Sequence, residues 1–246
     1  MSFRNAILSS LNQLFGLRGL ELRSRVRAES DCSMDAALQR AGARIPKIGT
    51  VIDVGAAAGL WTQHARPHFP EAQFLLIEPL NERVPELEAL RAADQRVDFV
   101  SAVAGAERGQ ATLHVTADLN GSGVADSPGT GSRTVAVTTI DREVAERQLP
   151  GPYFIKLDTH GYEVPILEGA RATLAQTALL MIEVYNFKLT GACLRFPQLC
   201  ARMEDLGFLP CDAVEPARRP GDLVLWQMDL VFARADAPLF SRNTYQ

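Results

Sequence analysis

The tightest constraint on this chain is the stretch Thr50 to Gly59, TVIDVGAAAG, where an apolar run ends in an acid and two glycines bracket small residues. Thr50 to Val54 is short and rich in β-branched residues, the pattern of a strand buried on both faces of a parallel sheet. A sharp turn into a helix has to follow. Gly55 permits the close turn, and Gly59 lets the backbone and the helix amino end approach a ligand, because neither carries a Cβ. Asp53, at the tip of this first strand, repels a pyrophosphate and favours a ligand with a cationic or hydroxyl-rich group.

A second apolar run, Gln73 to Ile77, ends in Glu78-Pro79, 25 residues after Asp53. In a strand-helix-strand unit, an acid at that second tip sits where two ribose hydroxyls can donate to it. Dinucleotide sites and methyl-donor sites share this geometry, so Glu78 supports an adenosine ligand without choosing among cofactors. Asp53 tilts the choice toward S-adenosylmethionine, whose ammonium, sulfonium and ribose suit an acidic surround. The competing reading is a structural turn with two solvated acids.

From Thr50 the chain alternates in the manner of a doubly wound α/β fold. The pattern predicts strands at 50 to 54, 73 to 77, 97 to 103, 153 to 157 and 179 to 184. Helices are expected at 59 to 66, 81 to 92 and 164 to 175. Residues 207 to 211 and 223 to 233 supply two last strands, read as an antiparallel hairpin at the sheet edge. Between the halves, 104 to 141 breaks the alternation: 111 to 116 and 134 to 138 read as strands around a tip rich in Gly, Ser, Asp and Pro. This is an inserted hairpin, and in open α/β folds such an insertion lies where it can cover the site as a lid. A surface loop without a role is the alternative. The expected organisation is a helical extension at 1 to 46, the main domain at 47 to 235 with the insertion at 104 to 141, and a tail at 236 to 246.

Composition narrows the partners. A 246-residue chain with 47% hydrophobic residues can cover both faces of one sheet, and a net charge of -4 gives no reason to expect nucleic acid. Small molecules or saccharides are the default. Cys32, Cys193, Cys200 and Cys211 lack paired spacing, which predicts free thiols in a reducing compartment. With no long uncharged apolar run and no signal-peptide pattern, the expectation is a cytoplasmic protein. Arg far outnumbers Lys, which fits a GC-rich bacterial coding sequence. Phe3, Ile7, Leu8, Leu11, Leu14 and Phe15 fall at helical spacing ahead of Arg18, Arg23, Arg25 and Arg27. Such a helix packs on the domain or on a second copy in a homodimer, or rests on a membrane surface; Asp31 to Ala43 reads as a second helix.

The segment Phe154 to Glu163 is the densest in chemistry. Its strand ends at Asp158, beside the first strand and over the crevice where a ligand's reactive end belongs. Asp158 reads either as a functional acid or as a helix cap. Glu163 equally suits a first-turn position, and Lys156 offers a buried partner for one of these acids. Together, DVGAAAG, LLIEP, the Ala102-Val103 region, KLDTHGYE followed by Ile166-Leu167-Glu168-Gly169-Ala170, and MIEV resemble the FkbM-type S-adenosylmethionine-dependent methyltransferases. The resemblance covers 50 to 184. It implies a Rossmann-like class I methyltransferase fold with a mostly parallel seven-stranded sheet, and O-methylation of a saccharide or secondary metabolite. It further implies Asp53, Gly55 and Gly59 around the methionine part, Glu78 on the ribose, Asn81 and Ala102 bordering the adenosine, and Asp158 near the transferred methyl. Ala57 stands where the family often has Asn or Gly, and His160 where Glu or Gln is common.

Methyl transfer to a hydroxyl needs a base, and His160 has the pKa best suited to that at neutral pH. His160 or Asp158 takes the proton in this reading; an imidazole that only hydrogen-bonds a loop is the alternative. A divalent metal, held by Asp158, Glu183 and Asn186, is a further option that the sequence does not favour. Glu183 and Asn186 equally suit acceptor binding, together with Asn120, Ser122 and the rest of Asn120 to Val124. Tyr185, Phe187 and Phe196 read either as stacking surfaces or as core. His64 and His68 lack a third ligand and read as a solvated helix end. Two rival functions remain: a nicotinamide-dependent oxidoreductase, which lacks its third glycine here, and a cofactor-binding scaffold that docks through its amino-terminal helix.

Overall fold

The computed structural model describes residues 31 to 245, apart from Pro46, Asp126, Pro128 and Ala192. The proposed amphipathic helix before residue 31 lies outside the described residues. Helix α1 (Met34–Arg44) opens on Ser33, whose hydroxyl caps the Ala36 N–H. The core strands β1 (Thr50–Val54), β2 (Gln73–Ile77), β3 (Val97–Val100), β8 (Tyr153–Leu157) and β9 (Thr177–Tyr185) run parallel. With β10 (Phe208–Arg218) and β11 (Leu225–Arg234) they form a seven-stranded sheet in the order β10-β11-β9-β8-β1-β2-β3.

Period-two alternation builds two apolar layers on this sheet. Ile52, Val54, Leu75, Ile77, Ile155, Leu157, Leu180 and Ile182 face one way, toward α4 (Ile140–Arg147), α5 (Glu163–Glu168), α6 (Arg171–Leu174) and α7 (Phe196–Asp205). Val51, Phe74, Leu76, Phe154, Leu179 and Met181 face α1, α2 (Leu60–Ala65) and α3 (Val84–Ala93). Phe154 is fully buried between the edges of Trp61 and Phe69, with centroids at 5.7 and 5.4 Å. Burying one such ring stabilises the fold by about 2 to 3 kcal/mol.

The insertion is a separate four-stranded sheet: β4 (Val103–Ala104), β5 (Gly109–His114), β6 (Gly123–Val124) and β7 (Ser132–Thr138). Its two long strands pair antiparallel from Gly109↔Val137 to His114↔Ser132, the expected hairpin shifted by about two residues. Leu80, Val103, Leu113 and Val137 form a third buried cluster that fastens it to the domain.

Several boundaries differ from the sequence reading. The 97-to-103 strand breaks at Ser101-Ala102, where the chain leaves one sheet for the other. The 164-to-175 helix splits at Gly169, whose missing Cβ would stand 2.0 Å from the Gly105 carbonyl oxygen. The closing antiparallel hairpin lies at the sheet edge as expected, with β10 outermost and β11 against β9, but β10 is far longer than its apolar centre. Helices α4 and α7 were not anticipated; Thr139 capping the Arg142 N–H, and Pro197 in the first turn of α7, were their signals. Among the described residues, no helix is long and apolar enough to cross a membrane.

Candidate active site

The carboxyl ends of β1, β2, β8 and β9 open into one cavity of about 300 Å³, roofed by Leu113, Leu119 and Asn120, and by Ser122 to Val124, of the insertion. Ligand pockets run from roughly 300 to 1,000 Å³.

At one end lies the strand-helix turn. Gly55 lines the cavity at φ +78°, and a Cβ there would meet the Asp158 carbonyl oxygen at 2.0 Å. Gly59 stays outside the cavity, at φ +72°, where a Cβ would strike Leu90 at 2.8 Å. Close packing against the Asp158 backbone therefore requires Gly55, and the left-handed backbone favours glycine at Gly59. Ala57 holds φ +46°, a left-handed conformation that costs an L-residue about 1 to 2 kcal/mol. Its N–H donates to Glu78 Oε2 at 2.8 Å, and the Leu80 N–H donates to Oε1 at 2.9 Å. Burial nevertheless pushes the Glu78 carboxyl up, against the pull of these two bonds. Asp53 sits behind the turn, fully buried, and accepts the Thr62 hydroxyl at 2.6 Å. Burial raises its carboxyl to about 6. Ala102 lines the cavity, whereas Asn81 starts an exposed 3₁₀ turn outside it.

At the other end the chain after β8 passes through His160 at φ +54° and Gly161 at φ +101°. His160 Nδ1 lies 3.2 Å from the Ser122 carbonyl oxygen. A carbonyl only accepts, so Nδ1 carries the proton in the neutral ring and Nε2 keeps a lone pair. Nε2 stands 3.9 Å from Asp158 Oδ1 and 3.7 Å from Glu183 Oε2. Beneath them Lys156, 3% exposed, donates to Asp158 at 3.2 Å and to Asp229 at 2.9 Å. Burial alone would raise the Asp158 carboxyl, but Lys156, Glu183 and His160 together hold it below its ordinary value. The same two acids outweigh burial at Lys156 and keep it charged. Glu183 takes hydrogen bonds from the Tyr185 hydroxyl and the Gln227 amide, and shares one with Asp158. Burial, then the Asp158 charge, push it up to about 8. Burial and the Glu183 charge likewise raise the Tyr185 phenol, which stays a donor.

The cavity thus unites Gly55, Glu78, Ala102, Asn120, Ser122, Asp158, His160 and Glu183, while Asp53, Gly59, Asn81 and Asn186 lie outside its lining. Asn120 accepts from Arg83 at 2.8 Å. Asn186 donates to the Leu225 carbonyl, so it does not join Asp158 and Glu183 as a ligand. His160 does: one donor atom from each of Asp158, His160 and Glu183 falls within 4.8 Å of the others. Sequence reasoning missed Gln227 and Asp229. A lone acid inside the strand pattern WQMDLVF was a signal, since a charge on a half-buried strand demands a partner.

A seven-stranded sheet in this order, with its glycine turn after β1 and its acid after β2, defines the class I methyltransferase fold. Residues 53 to 210 match the methyltransferase FkbM domain, so the chain belongs to the FkbM methyltransferase family. Among solved structures it is similar to methyltransferase FkbM from Methylobacillus flagellatus KT, at 16% identity over 74% of this chain and 43% of that one, TM-score 0.47. This chain therefore spans less than half the length of that protein. It is also similar to the Burkholderia thailandensis 1,6-didemethyltoxoflavin-N1-methyltransferase, with bound 1,6-didemethyltoxoflavin and S-adenosylhomocysteine, at 14% identity over 95% and 89%, TM-score 0.45. No curated protein matches the sequence.

Proposed function

We propose that this chain is an S-adenosylmethionine-dependent O-methyltransferase acting on a hydroxyl of a saccharide or secondary metabolite. The observation that carries this reading is a single cavity with the Gly55–Ala57–Glu78 turn at one end and, at the other, a His160 ring anchored through Nδ1 on the Ser122 carbonyl with Nε2 near Asp158 and Glu183. The lining fits the cofactor. Glu78 has lone pairs left for ribose hydroxyls, and Ile77, Leu80, Ala102 and Val103 offer apolar surface for an adenine. When bound, S-adenosylmethionine supplies an electrophilic methyl group.

The chain's own residues would do the rest. His160 Nε2 takes the acceptor's proton, so an O–H bond breaks as an N–H bond forms. The Asp158 carboxylate stabilises the resulting imidazolium, with the protonated Glu183 beside it as a neutral neighbour, and the Ser122 carbonyl keeps the ring in the right tautomer. A placed base supports a hydroxyl acceptor, since a hydroxyl needs its proton removed in the transfer and a neutral amine attacks without that help. The insertion acts as a lid that keeps water out.

One observation favours a second reading. The convergence of Asp158, His160 and Glu183 suits a divalent cation, which would polarise the hydroxyl in place of a base. Activity that survives exhaustive EDTA treatment removes that version.

The test is calorimetric titration with S-adenosylhomocysteine and, separately, NADH, followed by a tritiated-methyl screen over saccharides and secondary metabolites. Binding of the first ligand alone is expected, with transfer to a hydroxyl. Binding of NADH instead would point to an oxidoreductase, and binding without any transfer to a scaffold. On the acceptor found, His160→Gln should lower turnover about 10²- to 10⁴-fold. Near-normal turnover would end the assignment of the base.

A further inference from the structure

We propose that Tyr185, Trp226 and Phe187 form the wall on which the acceptor's ring system lies, with Trp226 as its main specificity-determining contact. The proposal rests on the methyltransferase reading for one thing only, that the reacting hydroxyl must reach His160.

The rings form a line leading away from the base. His160 and Tyr185 have centroids 6.4 Å apart, Tyr185 and Trp226 meet edge to face at 6.2 Å, and Trp226 and Phe187 stack at 5.2 Å. The sheet topology puts them there. Tyr185 ends β9 at the carboxyl end of the parallel strands, and Phe187 follows two residues later. Strand β11 runs antiparallel to β9, with Gln227 opposite Tyr185, so Trp226 enters the sheet at the same end. Arg219, in the turn between β10 and β11, caps the line with its guanidinium 4.6 Å over Phe187.

Tyr185, 4% exposed, is itself buried, and three features separate the rest of the line from ordinary core. The core aromatics Phe74, Phe154, Phe208 and Phe232 are fully buried, whereas Phe187 and Trp226 are half-buried. None of the three wall residues belongs to the buried apolar clusters on either face of the sheet or under the insertion. The indole N–H of Trp226 has no acceptor among the described residues, although Trp61 Nε1, the other indole, donates to Met34 Sδ at 3.3 Å. Among the described side chains the polar atoms buried without a partner are Arg66 Nε and Arg83 Nε, so this N–H is open to water or to a ligand oxygen. Beyond Trp226, the hairpin tip leaves Leu223 67% and Val224 39% exposed.

The chemistry of the wall selects a class of ligand. Aromatic faces pack against the C–H face of a pyranose or against another ring, and a free N–H suits a hydroxyl or ether oxygen. The charge of Arg219 is already engaged by Asp222 and by the Phe187 ring. The wall thus suits an uncharged, hydroxylated ring compound, a neutral glycoside or a phenol, and offers nothing specific to a phosphate or carboxylate.

The chain has two tryptophans, which makes the test spectroscopic. Phenyl β-D-glucopyranoside is titrated into the protein while tryptophan emission is followed, with and without saturating S-adenosylhomocysteine. A saturable change is expected in the wild type and in Trp61→Phe, and its loss in Trp226→Phe. Trp226→Ala should weaken the probe's binding about 10-fold by calorimetry, with S-adenosylhomocysteine affinity unchanged. No saturable response in the wild type, or a response that persists in Trp226→Phe, overturns the wall. Failure of the methyltransferase reading is seen separately, as absence of S-adenosylhomocysteine binding.

Discussion

The two ends of the cavity are built by opposite means. The Glu78 end is made of backbone: two N–H groups fix the carboxylate, and the turn beside it holds Gly55 and Gly59 at positive φ, with no room for a Cβ at Gly55 against the Asp158 carbonyl. The His160 end is made of side chains and charge. Lys156, Asp158, Glu183, Tyr185, Gln227 and Asp229 come from three adjacent strands and satisfy one another. A backbone-built end tolerates little variation and suits a ligand that does not change. The side-chain end can be altered one residue at a time, as a varying acceptor requires.

Breaking this contrast at its strongest point means removing Lys156. Lys156→Met leaves the nearly buried Asp229 and the partly exposed Asp158 without their cation, and a loss of about 3 kcal/mol is expected by urea denaturation. A loss under about 1 kcal/mol would mean that water, not the ammonium, balances these acids.

A pH series sharpens the contrast at intermediate cost. Glu183, raised to about 8, keeps its proton in the folded protein, while the unfolded carboxyl titrates at about 4.3. The stability this gives is full below the unfolded value and is lost as pH rises through the folded one. Glu183→Gln has no proton to lose, so its melting temperature relative to the wild type should climb between pH 5 and 8. Asp53→Asn should show the same trend ending near pH 6. Parallel melting curves across that range would refute both.

The smallest effect belongs to the backbone-built end. Ala57→Gly removes the cost of a left-handed alanine and should raise stability by about 0.5 to 1 kcal/mol, offset in part by the freer unfolded chain. A loss on thermal denaturation would show that Ala57 packs rather than strains.

The same contrast explains what was legible in the sequence. The glycine turn and Glu78 sit in contiguous runs, and a strand that is apolar throughout announces itself. So did the insertion, through the turn-rich tip between two alternating segments. Helices α4 and α7 were missed because their windows, IDREVAER and FPQLCARMED, are short and poor in apolar residues. At the His160 end, KLDTHGYE was visible, but its partners lie 25 to 71 residues further on, at Glu183 and Asp229, and only the pairing of β8, β9 and β11 brings them together. Asn186 illustrates the limit: it stands three residues after Glu183, yet the strand end turns its amide to Leu225. His160 lines the cavity after two successive positive-φ residues, His160 and Gly161, a conformation that composition does not advertise.

The division of labour between the two ends is tested most directly by titrating S-adenosylhomocysteine calorimetrically into the wild type, Glu78→Gln and His160→Gln. Removing the Glu78 charge should weaken binding about 10-fold or more, while His160→Gln should bind within about 2-fold of the wild type. Equal weakening by both substitutions, or no binding to the wild type, would contradict a cavity divided into a cofactor end and an acceptor end.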